Sequence, residues 1–171
     1  GHPLAMLHRS MHLSANSDSW GSPPLRLTLI AAALAAALAP AAHAGPAAPK
    51  PEAVACLAEA VYFESRGKGD SAALAVANVV LNRREHQEFP GTVCGVIADG
   101  CEFSYRCDGR SDALRDPKER ARALRAAETV LAGEAPDPTH GALFFHSAAV
   151  KPGWFASRTR TAEIGGNVFY R

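Results

Sequence analysis

Glu64 stands where an amphipathic helix carries a hydrophobic residue. In the stretch Cys56-Leu57-Ala58-Glu59-Ala60-Val61-Tyr62-Phe63-Glu64-Ser65-Arg66-Gly67, the series Val54, Leu57, Val61 recurs at helical spacing and Glu64 is its next member. Burying an ionised carboxylate without a partner is costly, so folding favours its protonated form. A carboxylic acid kept neutral can hand a proton to a leaving oxygen, the step that breaking a glycosidic bond needs. Glu59 is the internal contrast: at helical pitch it falls about 200° from both Leu57 and Val61, on the wet side. A bland reading competes, in which Glu64 ends a helix in a salt bridge with Arg66 or another arginine.

Other residues with chemical potential are weaker signals. Asp108, before Gly109, is the candidate second carboxylate, although Asp-Gly is also a common turn pair. Ser104 is a candidate hydrogen-bonding residue for a ligand or for its own loop. His140 and His146 are the histidines available to a metal, and their separation matches neither a helical i,i+4 pair nor H-E-x-x-H. A lone His146 in an apolar strand reads as a hydrogen-bonded core residue. The sequence therefore gives no ground for a metal or a cofactor.

Several elements must position these groups. Residues 53–66 read as a first helix, stopped by Gly67 and Gly69, and Asp70 or Ser71 is suited to cap a second. The body of that helix, residues 72–83, is apolar around most of its circumference and belongs in the core. Residues 92–98 read as a short helix. The glycines and cysteines of residues 94–112 mark a pinned loop, the kind of segment that carries binding residues. Asp116-Pro117-Lys118-Glu119 is a helix start, and the helix runs through Ala121, Leu124, Ala127, Val130 and Leu131 to Gly133. Residues 142–146 and 167–170 read as two strands that pair as a hairpin around the loop 147–166. The expected fold class is α+β, mainly helical, in a single domain with a small β-hairpin.

The first quarter of the chain has a different character. Arg26 precedes an apolar run over residues 27–38, followed by Pro40 and the small-residue site Ala42-His43-Ala44. A basic flank, a short apolar core and an A-x-A exit describe a secretory signal peptide cleaved after Ala44, and the run is short for a membrane span. Residues 1–44 are thus expected to be a leader, 45–52 a proline-rich linker and 53–171 the folded domain, periplasmic or secreted. Setting aside Arg9, Arg26 and Asp18 of the leader from 18 basic and 17 acidic residues leaves 16 of each. A mature part with no net charge argues against nucleic acid as a partner.

All four cysteines, Cys56, Cys94, Cys101 and Cys107, fall after the leader. An even count in an exported chain reads as disulfides, and the gaps lack the tight C-x-x-C pairs of structural zinc. Three pairings are open from the spacing. The expectation adopted is a short Cys101–Cys107 link, with Cys56–Cys94 tying the first helix to the loop.

With these motifs placed, the chain resembles the catalytic domain of the SleB/CwlJ-type cell wall hydrolases from about Cys56 to Arg171. The resemblance is carried by Leu57-Ala58-Glu59-Ala60-Val61-Tyr62-Phe63-Glu64-Ser65-Arg66-Gly67, Ala75-Val76-Ala77-Asn78-Val79-Val80-Leu81-Asn82-Arg83 and Phe89-Pro90-Gly91-Thr92-Val93-Cys94-Gly95-Val96-Ile97. It continues in Glu102-Phe103-Ser104, Cys107-Asp108-Gly109, Phe144-Phe145-His146, Val150-Lys151-Pro152-Gly153-Trp154 and Ile164-Gly165-Gly166-Asn167-Val168-Phe169-Tyr170. It implies a lysozyme-like fold, Glu64 as the catalytic acid, and cleavage of peptidoglycan glycan strands between N-acetylmuramic acid and N-acetylglucosamine, with lytic transglycosylases among its better-known members. Tyr62, Phe103, Tyr105, Trp154 and Tyr170 are then candidates to line a sugar cleft, with Ser104, Asp108 and His146 beside them. Two departures stand out: Asn167 replaces a histidine of the family pattern, and Glu102 replaces a frequent glutamine. The competing functions are a hydrolase with a second carboxylate, a zinc amidase, and a non-catalytic exported binding module.

Overall fold

The computed structural model describes residues 47–150 and 153–171, without the side chain of Trp154. The expected leader, residues 1–44, lies outside the described residues. Four helices, α1 (Pro51–Ser65), α2 (Gly69–Glu85), α3 (Val93–Ala98) and α4 (Pro117–Leu131), precede three strands, β1 (Phe144–Ser147), β2 (Arg160–Ile164) and β3 (Asn167–Tyr170). Short 3-10 turns lie at Ser104–Cys107 and Gly153–Phe155. Among the described residues no helix is long and apolar enough to cross a membrane.

Helix α1 starts inside the stretch read as linker, because Pro51 at its first position already has the helical φ and Glu52 suits the N-terminal dipole. It buries Leu57, Ala58, Val61 and Tyr62 against α4 and α2. It ends at Ser65, whose hydroxyl bonds back to Val61 O at 2.6 Å, and Gly67 takes φ +78° to turn the chain. Helix α2 is buried from Ala72 to Val80 on nearly every side, as its composition requires. Its start differs from expectation: Lys68 is the cap residue and its side chain makes no capping bond, and the Asp70 carboxylate accepts from Arg122 Nε of α4 at 2.8 Å. Asp116 caps α4 as its sequence demands, its Oδ1 accepting from the amides of Lys118 and Glu119. The buried face of α4 is Ala123, Ala126, Ala127 and Val130, and Leu124 is on the surface. Alanines on this face let α4 lie close to α1, and the larger side chain is left outside.

The strands form an antiparallel sheet in the order β1-β3-β2. The expected pairing of the first and last strands is present, with Phe145 opposite Phe169 and Ser147 opposite Asn167. The difference is β2, a third strand inside the segment read as loop, which pairs with β3 through an irregularity between Arg160 and Ala162. Phe169 packs with Ala75 and Val79, fixing the sheet to α2. The turn between β2 and β3 seats closely on α2. Gly165 has φ +57°, and a Cβ there would stand 2.4 Å from Ala72 Cβ. That seat brings Asn167 to the start of α2. Between α4 and β1, Asp137 accepts from Thr139 N, Gly141 N and Asn82 Nδ2, which clamps the loop to α2.

Two disulfides join Cys56 to Cys94 and Cys101 to Cys107, and among the described residues no cysteine is free. The first ties α1 to α3; the second closes the turn that carries Phe103 and Ser104.

Candidate active site

Where α1 ends, the sheet and the Glu102–Ser104 turn enclose a cleft of about 280 Å³. Glu64 and Lys68 enter it from the end of α1 and the turn after it, Arg83 from α2, His146 and Ser147 from β1, and Asn167 from β3. A wider surface groove of about 650 Å³ runs between α1 and α4 past Leu124, but the cleft is where half-buried Glu64 meets buried Arg83.

Burial raises the Glu64 carboxyl above its ordinary value, and the positive charges of Lys68 and Arg83 offset part of that rise. The result is an acid held by its surroundings rather than by a direct ion pair: among the described residues Glu64 forms none. The salt-bridge reading of Glu64 with Arg66 is thereby replaced, since Arg66 lies over the Tyr62 ring, 5.6 Å from its centroid. Glu59 is half-buried and pairs with Arg106 at 2.9 Å.

Arg83 is buried at the base of the cleft. Its Nε donates to Leu143 O at 2.7 Å and its Nη2 to Glu102 Oε2 at 3.3 Å. Its guanidinium carbon lies 5.1 to 5.7 Å from the ring centroids of Phe89, Phe144 and Phe103. Burial pulls its pKa down, while Glu102 works against that. Lys68 Nζ donates to Asn167 Oδ1 at 2.9 Å and reaches Glu64 O at 3.5 Å. Asn167 is almost fully buried.

His146 is held through both ring nitrogens, Nδ1 at 2.8 Å from Ser147 O and Nε2 at 3.1 Å from Tyr170 Oη. A carbonyl only accepts, so Nδ1 carries a proton, and in the neutral ring Nε2 accepts from the tyrosine hydroxyl. Both nitrogens are therefore engaged. Among the described residues no three His, Cys, Asp or Glu side chains converge as a metal cage would require.

The sequence-predicted residues divide. Glu64, Phe103, Ser104 and His146 share the cleft. Tyr170 supports His146 from behind, stacked on it at 5.4 Å, and lines a neighbouring groove with Phe155 and Arg158. Tyr62 is a core residue whose Oη accepts from Asp116 N at 3.1 Å, which removes it from a sugar cleft. Tyr105 is likewise buried, stacked on Phe63. Asp108 is not part of the cleft lining; its Oδ1 accepts from Arg110 N at 2.8 Å, so the turn reading holds and the second-carboxylate reading does not. Glu102, noted only as a departure, is the further carboxylate in the cleft.

Arg83 and Lys68 had no assigned role in the sequence reading. The signal for Arg83 was present: Val76, Val80 and Arg83 share one face of α2, the same misfit that marks Glu64. Lys68, between two glycines, carries no such signal.

Comparison with known proteins agrees with this geometry. The Cell Wall Hydrolase family model matches residues 67–170, and the chain belongs to that family. It is 38% identical over 114 residues to a spore cortex-lytic enzyme of Halalkalibacterium halodurans, covering 66% of this chain and 33% of that one. To the Bacillus subtilis spore cortex-lytic enzyme it is 36% identical over 116 residues, covering 66% and 35%. The chain thus spans about a third of the length of these curated relatives. The fold is that of the catalytic domain of the germination-specific lytic transglycosylase SleB from Bacillus anthracis, with a TM-score of 0.59 and 30% identity over 71% of this chain and 96% of that one. The SleB catalytic domain of Bacillus cereus matches equally, at TM-score 0.59 over 74% and 94%. The family match begins at Gly67, past Glu64.

Proposed function

We propose that this chain is an exported peptidoglycan-cleaving glycosidase that breaks the bond between N-acetylmuramic acid and N-acetylglucosamine as a lytic transglycosylase, with Glu64 as its single acid/base. The observation that carries the proposal is a half-buried carboxyl, raised by desolvation, in a cleft with no ion pair of its own. Family membership supports the substrate class. The solved neighbour from Bacillus anthracis is a germination-specific lytic transglycosylase, and that activity is taken over here as part of the proposal.

In this mechanism the protonated Glu64 gives its proton to the glycosidic oxygen as the bond to the anomeric carbon breaks. The carboxylate so formed is stabilised by the charges of Lys68 and Arg83. It then removes the proton from the muramoyl 6-hydroxyl, which attacks the anomeric carbon of its own ring. The product is a 1,6-anhydromuramoyl end, and neither a metal nor a second carboxylate is required. Phe103 and Ser104 contribute one wall of the cleft and His146 the other.

A hydrolytic second reading has one supporting observation, the presence of Glu102 in the same cleft. Glu102 is, however, matched in charge by Arg83 at 3.3 Å. The test is Glu64→Gln, which keeps shape but has no proton to give. Activity on purified peptidoglycan should fall at least ~100-fold while the circular dichroism spectrum is unchanged. Retained activity in Glu64→Gln with loss in Glu102→Gln would reverse the assignment.

A further inference from the structure

Among the charged side chains of the cleft, Arg83 and Glu102 are each other's counter-ion and Glu64 is a raised acid. Lys68 is left as a cation that makes no ion pair among the described residues. It is nevertheless held in place: Asn167 Oδ1 takes its Nζ at 2.9 Å, and the Glu64 carbonyl lies at 3.5 Å. The orientation of the Asn167 amide follows, because an ammonium only donates and must meet the oxygen. Asn167 is 1% exposed and sits behind the turn that Gly165 packs onto Ala72, so this anchor is rigid, whereas Lys68 itself is exposed to the cleft. A fixed, solvent-facing ammonium that makes no ion pair while Glu64 holds its proton, four residues along the chain from that acid and past the end of α1, is complementary to an anion on the substrate.

We infer that Lys68, anchored by Asn167, is a specificity-determining residue that binds the free lactyl carboxylate of a muramoyl residue, so that the favoured substrate is glycan strand already stripped of its stem peptides. This inference rests on the function proposed above. The lactyl group is carried on the same sugar ring whose anomeric bond Glu64 breaks. In peptide-bearing strands that carboxyl is an amide and has no charge, and the first free carboxylate of the stem lies an amino acid further from the ring. Proximity of Lys68 to Glu64 therefore selects the lactyl carboxylate. An amide-releasing enzyme that removes the stem peptide would supply this substrate.

The test compares two preparations of one peptidoglycan, intact strands and strands freed of peptide by an amidase, with kcat/KM measured on each. Wild type should favour peptide-free strands, and the preference should shrink as salt rises. Lys68→Met should reduce the ratio of the two kcat/KM values about tenfold, the size of one charge-assisted contact, and Lys68→Arg should retain most of it. A change in Glu64 acidity caused by losing the lysine affects both substrates alike and cancels in the ratio. Equal cleavage of both strands by wild type, or a Lys68→Met variant with an unchanged ratio, overturns the inference. Cleavage of neither strand by wild type refutes the proposed function itself.

Discussion

Arg83 Nη2 lies 3.3 Å from Glu102 Oε2, yet the two side chains differ in exposure, 6% against 53%. The pair is thus anchored on its buried side. Arg83 gains from Leu143 O and from the faces of Phe89 and Phe144 as well as from Glu102. Its replacement by methionine removes these contacts together and leaves Leu143 O unsatisfied. We expect Arg83→Met to cost roughly 2–3 kcal/mol in urea unfolding. Lysine at this position should restore little, since one ammonium cannot serve both the carbonyl and the carboxylate. Glu102→Gln should cost about 1 kcal/mol or less, because its own end of the pair is in solvent. Equal costs for the two residues would contradict this account of the pair.

Glu64 ties stability to function through pH. Its carboxyl is raised by burial, so the folded protein holds that proton more tightly than the unfolded chain, whose value is near 4.5. Between that value and the higher folded one, stability falls as pH rises, and below it the Glu64 contribution is fully present. Glu64→Gln escapes this loss. The variant should be more stable than wild type at neutral pH, with the difference closing as pH drops below the unfolded value. In activity, proton donation fails on the alkaline side of the folded value. Lys68→Met should shift that alkaline limb of kcat/KM upward, because the lysine charge holds the carboxyl down. A limb that stays fixed would mean that another group sets it.

The disulfides are unequal in what they constrain. Cys56–Cys94 spans 38 residues and Cys101–Cys107 spans 6. In the chain-entropy model the longer link contributes about 4 kcal/mol and the shorter about 2. Removing the longer one by Cys56→Ala with Cys94→Ala should therefore lower the unfolding midpoint more than the matching pair at Cys101 and Cys107. Thiol titration of protein purified under oxidising conditions and denatured should find no free cysteine. Four reactive thiols would show that the links do not form.

The parts of this protein legible in its sequence are those fixed by local pattern. Glu64 was visible as a carboxylate on an apolar face, and the start of α4 as Asp116 followed by Pro117. What escaped depends on partners distant in the chain. Lys68 meets Asn167 across 99 residues, and Asp137, between two prolines, read as a turn although it clamps Asn82 of α2. Strand β2 was hidden because Arg160-Thr161-Ala162-Glu163-Ile164 has few apolar residues and its register breaks at Ala162, which blurs the alternation that marks a strand. The spacing of α4 does not tell its inner face, because alanines rather than Leu124 make that contact. Tyr62 had an aromatic ring suited to sugars, but its hydroxyl is satisfied inside the protein by the amide of Asp116.

In the proposed reaction one half-buried acid, Glu64, turns the muramoyl 6-hydroxyl on its own ring. Mass spectrometry of the muropeptides released from purified peptidoglycan tests it most directly, with Glu64→Gln protein as the control. The expected products are lighter by one water than their hydrolytic counterparts and end in 1,6-anhydromuramic acid, and the variant should give none. Reducing-end muramic acid as the main product would contradict it and direct the search to Glu102, and released stem peptides without glycan cleavage would replace it with an amidase.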